Sequence, residues 1–158
     1  MLSRDDVFNE LGIGPVWRLR EAPAPPLSAP AYTWDTLADA VAQCTACKLS
    51  ATRTQGVLGV GDHNADWLII GEAPGADEDA QGEPFVGQAG KLLDAMLASI
   101  GLKRGDNVYI TNVLKSRPPG NRNPEPDEVA ACRPYLLAQI ELIQPKLILA
   151  LGRFAAQS

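Results

Sequence analysis

Residues 65–96, ADWLIIGEAPGADEDAQGEPFVGQAGKLLDAM, read as a short apolar strand, a long connection and the start of a helix. The strand ADWLIIG ends at Gly71. The helix FVGQAGKLLDAMLASIGL puts Leu92, Leu93, Met96, Leu97 and Ile100 on one face, and Gly101 stops it. A plain connection needs about two to six residues, and this one spends about fifteen. It carries the carboxylates Glu72, Asp77, Glu78, Asp79 and Glu83 and the aromatic Phe85, among glycines at 71, 75, 82, 87 and 90. Loops of that length and chemistry on a rigid scaffold are usually binding or catalytic loops.

The same alternation continues outward. TWDTLADAVAQC reads as a helix capped by Thr33, with Leu37, Ala40 and Val41 facing inward. DNVYITNV is a second strand, and PEPDEVAACRPYLLAQIELIQP a helix whose opening prolines and acids suit its positive end. KLILALG is a third strand and RFAAQS starts a further helix. Short apolar strands alternating with amphipathic helices predict an α/β fold, a three-layer αβα arrangement around a central parallel sheet. In such sheets ligands bind outside the carboxyl ends of the strands. The loop after Gly71, the residues around Asn112 and the turn at Gly152 are therefore expected to share one rim. The chain stops at Ser158 about a turn into its last helix, so this reading expects a fragment lacking a last strand and helix.

The 158 residues suffice for one domain with a core. A hydrophobic fraction of 46% and a charged fraction of 21% are those of soluble globular proteins. No apolar run approaches a membrane span and no secretory leader opens the chain, so a cytoplasmic protein is expected. The net charge of −5 argues against indiscriminate nucleic-acid binding and leaves room for a local basic groove. Residues 1–32 read as an appendage to a domain at 33–158. MLSRDDVFNELGIGPVWRLR suggests a short helix capped by Ser3, with Val7, Leu11 and Trp17 apolar, and EAPAPPLSAP a semi-rigid linker. The arm reads either as a loose tail or as a docking peptide for a protein partner.

Three cysteines make an odd number, which suits metal or redox chemistry better than a disulfide framework. Cys44 and Cys47 form a C-x-x-C that can chelate one metal or cluster; a redox pair is the rival, weakened because no βαβ strand precedes it. Cys132 sits on the second long helix, where a buried inert thiol is the plain alternative. In TNVLKSRPPGNRNPEP, Asn112 offers a donor and an acceptor together at a strand end. Lys115, Arg117 and Arg122 follow in a proline-stiffened basic loop suited to phosphates. The G-K-[ST] of a Walker loop is absent, and the glycine spacing does not fit a dinucleotide fingerprint.

Taken together, GEAPGADEDAQGEPFVGQAGKLLD, VYITNVLKSRPPGNRNPEPDE, and CTAC with Cys132 resemble the family 4 uracil-DNA glycosylases, the iron–sulfur branch of their superfamily. The resemblance runs from about Leu37 to the end of the chain. It implies an enzyme that flips uracil out of single- or double-stranded DNA and hydrolyses its N-glycosidic bond, leaving an abasic site. It also implies Phe85 stacking on the base and Asn112 donating to O4 and accepting from N3–H. Glu72 or Glu78 would contribute electrostatically, with Ala73 where related enzymes place a water-assisting aspartate. Glu78 would lie near uracil C5, backbone amides of Gly71 to Gly75 would hold O2 and phosphate, and Lys115, Arg117 and Arg122 would meet DNA. A monomer is expected.

Two departures accompany the resemblance. The family holds a [4Fe–4S] cluster on four cysteines; Cys44, Cys47 and Cys132 match, and the fourth position is Ser116, in unchanged register. Serine is a harder and less acidic ligand, which leaves open a cluster with a labile iron, a three-iron form, or an apo state. The family's late H-P histidine has no counterpart, because the single histidine is His63. Weak or absent activity of these 158 residues alone is expected on that ground, and the alternative function is a binding module for uracil-DNA or a replication partner.

Overall fold

The computed structural model describes residues 32–158. The expectations for the N-terminal arm fall on residues 1–31, outside the described part. Its elements, in chain order, are α1 (Trp34–Ala42), a 3-10 turn (Lys48–Ala51), β1 (Val60–Gly61), β2 (Trp67–Gly71), α2 (Ala76–Gln81), α3 (Gln88–Ser99), β3 (Val108–Asn112), a second 3-10 turn (Pro119–Asn121), α4 (Pro126–Ile143), β4 (Leu147–Ala150) and α5 (Arg153–Gln157).

The sheet order is β1-β3-β2-β4. β3, β2 and β4 are parallel, with Gly71 opposite Asn112 and Ile70 opposite Ala150. The three expected strands thus end at one rim. The sheet is mixed rather than wholly parallel, because β1 adds an antiparallel edge to β3. That strand is only two residues long and lies in the glycine-broken stretch GVLGVG, which shows no apolar run to mark it.

Period-two alternation along the strands feeds two cores. Leu68, Ile70 and Tyr109 pack with Leu49, Leu136 and Ile143 on one face. Ile69, Val108 and Ile110 pack with Leu93 and Leu97 of α3 on the other. Each fully buried aliphatic side chain contributes about 1.5–3 kcal/mol. The expected apolar face of α3 divides: Leu93 and Leu97 are buried, while Leu92, Met96 and Ile100 are more than half exposed. Leu147, Ile148 and Leu149 of the edge strand β4 are exposed as well. Helix α1 begins as expected, with Thr33 Oγ1 accepting from the Thr36 N–H. Among the described residues no helix is long and apolar enough to cross a membrane.

Candidate functional site

The long connection after β2 is not one loop. Asp77, Glu78 and Asp79 fall in the first turn of α2, where carboxylates offset the positive end of a helix. Gly82, at φ +81°, ends that helix in the left-handed conformation that glycine adopts without steric cost. Asp79 is buried and accepts from the Thr54 N–H (2.9 Å) and Oγ1 (2.8 Å), so it ties α2 to the segment after the first 3-10 turn. Glu78 folds back on its own loop. One carboxylate oxygen accepts from Gly75 N, and the other from Val86 N and Gly87 N, each at 3.0 Å. Burial works against the charged form, but the three backbone donors outweigh it and hold the carboxyl below its usual range.

Phe85 stands in the left-handed region at φ +55°, which costs a residue with a side chain roughly 1–2 kcal/mol. Its ring and the Asn112 side chain both reach Gly71, at the end of β2. A Cβ added at Gly71 would lie 2.5 Å from Phe85 Cζ and would overlap Asn112 Oδ1. Above them opens a cavity of about 220 Å³ lined by Ala73, Gly75, Glu78, Phe85, Ala89 and Asn112. Drug-sized pockets run to about 300 Å³ and more, so this one suits a single small ring. Asn112 is 2% exposed, and its Oδ1 is a buried acceptor without a partner among the described residues. A buried orphan acceptor costs about 1–3 kcal/mol, which a ligand N–H would recover.

The structure brings Gly71, Ala73, Gly75, Glu78, Phe85 and Asn112 together. Glu72 is half-buried one residue past β2; its backbone carbonyl accepts from Leu114 N, and it is not among the residues lining the cavity. The Gly75 amide is not free for a ligand, since Glu78 takes it. Ala89 was missed, for an alanine on a helix carries no chemical signal.

Lys115 corrects the expectation of a phosphate-binding side chain. It is 1% exposed, and its Nζ donates to Thr111 Oγ1 (2.7 Å), the Asn112 carbonyl (2.6 Å) and Gln139 Oε1 (2.6 Å). Burial pulls its pKa down to about 7. It braces the backbone of Asn112 from inside the protein. Arg122 pairs through both terminal nitrogens with the buried Glu128, and the Arg117 Nε donates to Asn121 Oδ1. Both guanidiniums stay at least partly open to solvent.

Cys44 and Cys47 are half-buried and Cys132 is buried, and all three are free thiols. Burial pushes the Cys132 thiol up, although the Lys115 N–H donates to its sulfur at 3.4 Å. At the fourth position, Ser116 Oγ accepts from Arg53 Nη1 at 2.9 Å, while Arg53 Nη2 donates to the carbonyls of Val41, Ala42 and Cys44. Among the described residues no three of His, Cys, Asp or Glu form a group that could hold a metal ion. This donor set, three thiols and a hydroxyl occupied by a guanidinium, does not fit a four-thiolate cluster. His63 stacks on Trp34 at 3.8 Å between ring centroids, close to Tyr109 and away from the cavity lining.

Comparison with known proteins agrees with this geometry. Type-4 uracil-DNA glycosylases are similar to the chain: that of Archaeoglobus fulgidus is 58% identical over 123 residues, 78% of this chain and 61% of the relative. That of Saccharolobus solfataricus is 53% identical over 120 residues, covering 75% and 55%. That of Thermotoga maritima is 50% identical over 121 residues, covering 77% and 62%. The chain spans about three fifths of the length of the curated relatives it matches. A family model described as the Uracil DNA glycosylase superfamily matches residues 58–158, a stretch that contains both strand ends, Phe85 and Asn112. With sheet, rim and sequence match in agreement, the chain belongs to the uracil-DNA glycosylase superfamily.

Proposed function

We propose that the chain carries the uracil site of a DNA-repair glycosylase, which takes an extruded uracil into the Phe85–Asn112 cavity and hydrolyses its N-glycosidic bond. The observation that carries this reading is the Oδ1 of Asn112, without a partner among the described residues and buried beside an aromatic ring in a cavity sized for one base. Flipping a nucleotide costs a few kcal/mol. Stacking on Phe85 returns about 1–3 kcal/mol per base. Asn112 Oδ1 accepts uracil N3–H and its amide donates to O4. Cytosine presents an acceptor and a donor in the reverse order, leaving both protein groups unpaired, and sites built on such hydrogen bonds discriminate strongly.

Cleavage at C1′ develops positive charge on the sugar and negative charge on the departing base. Glu78, locked as an anion by three amides, supplies fixed negative charge at the cavity wall rather than a base that takes up a proton. Fixed charge of this kind needs no reorganisation during the reaction. Arg117, at the solvent side of the loop after β3, is the candidate phosphate contact. The working form is a cytosolic monomer on DNA. No step runs through an iron–sulfur cluster.

Uracil release from a single-stranded oligonucleotide, read beside anisotropy binding of uracil- and cytosine-containing strands, tests the proposal. The protein is expected to prefer uracil strands; Asn112→Ala is expected to lose that preference, and Phe85→Ala to weaken uracil-strand binding, by about tenfold or more each. Equal binding of uracil and cytosine strands by the unaltered protein would exclude it.

A further inference from the structure

The Pro84–Gly87 segment is gripped from two sides, and one of the gripping residues comes from far along the chain. Arg104 lies between α3 and β3. Its Nη1 donates to the Pro84 carbonyl (2.8 Å), its Nη2 to the Phe85 carbonyl (2.7 Å), and its Nε to Asp94 Oδ1 of α3 (3.1 Å). From the other side, Glu78 takes the next two amides, Val86 and Gly87. We propose that Arg104 is a positioning residue for base recognition: with Glu78 it clamps Pro84–Gly87 and holds Phe85 in the left-handed conformation that presents its ring to the cavity.

Three features support this assignment. A left-handed non-glycine residue persists only where its surroundings over-determine it. Here a cation on two successive carbonyls and an anion on the two following amides do so. Second, only the planar, five-donor guanidinium can span neighbouring carbonyls while its Nε reaches a carboxylate; a lysine offers a single point of attachment. Third, α3 closes the remaining side, because a Cβ at Gly90 would overlap the Phe85 carbonyl oxygen. A ring in contact with Gly71 has little freedom once its backbone is fixed, so losing the clamp lets Phe85 relax to an ordinary φ and withdraws the stacking surface. The inference rests on the reading of the cavity as a uracil site, but the clamp has a readout that needs no DNA.

The test compares Arg104→Gln, Arg104→Lys, Phe85→Ala and the double variant Arg104→Gln/Phe85→Ala in the full chain. Amide hydrogen exchange reads the clamp directly. Protection of Val86 and Gly87 is expected to fall by about tenfold in Arg104→Gln, with the β2 and β3 amides unchanged, since such openings are local. Affinity for a uracil strand is expected to fall about tenfold in Arg104→Gln and to recover in part in Arg104→Lys. The double variant is expected to match Phe85→Ala alone, because residues acting through one another are not additive. Unchanged exchange at Val86 and Gly87, or a double variant whose losses multiply, would overturn the proposal. If Phe85→Ala leaves uracil-strand affinity intact, the uracil reading fails while the exchange result still decides the clamp.

Discussion

At Gly71 the site admits no side chain. The Phe85 ring and the Asn112 amide close over its Cα from two directions, and a methyl there would collide with both. Gly71→Ala is therefore expected to cost about 1–3 kcal/mol in stability through overpacking. Its binding of uracil strands should fall further than this loss explains, because the two recognition groups are the ones displaced; denaturant titration beside anisotropy separates the effects. Glu78 gives a second prediction, with a pH window. Its folded pKa lies below the ordinary value of 4.5, so its stabilisation is fully present above pH 4.5 and is lost as pH falls through the folded value. Glu78→Gln is expected to destabilise by about 2 kcal/mol at neutral pH. Thermal midpoints of the two proteins should draw together below pH 4.5, and a gap that stays constant would contradict the role given to its charge.

Among the elements, α2 and α4 show local chemistry setting where helices begin and what strains them. A run of carboxylates after a glycine is helix-starting chemistry, which is why the presumed loop contains α2. Helix α4 carries Pro134 in its interior, at an exposed position, where a proline removes one helical hydrogen bond and crowds the preceding turn. Against a helix-interior penalty of about 3 kcal/mol, the proline stiffens the unfolded chain by about 0.4–1 kcal/mol. Pro134→Ala is expected to stabilise the protein by about 2–2.6 kcal/mol, read as a higher denaturation midpoint with uracil binding unchanged.

Over the whole molecule, charge sets how the proposed DNA substrate would be met. A net charge of −5 provides no general attraction, so affinity has to come from the base cavity and a few local cations. Lys115 is internal and Arg122 is committed to Glu128, which leaves Arg117, half-buried with its Nε on Asn121, as the cation of that loop proposed to meet a phosphate. Single-strand contacts contribute about 0.7 each to the salt slope of log affinity. Arg117→Ala is expected to reduce the slope by about that amount and to weaken uracil and thymine strands equally; a change in their ratio would assign it to base reading instead.

The sequence by itself determined the order of the three parallel strands and the shared rim, because alternation, apolar runs and strand-end position are local patterns that survive in one dimension. The pairing of Phe85 with Asn112 and the serine at a fourth cysteine position were legible only through the resemblance to a family. What only the tertiary structure decided were facts of long-range packing. Lys115 looked like a surface cation because its neighbours in the chain are polar and proline-rich, yet α4 brings Gln139 over it and buries it. Arg104 carried no signal nineteen residues from Phe85, and Arg53 none so far from Ser116. A guanidinium chooses its carbonyls by proximity in space, and that proximity exists only once the sheet and its helices have closed.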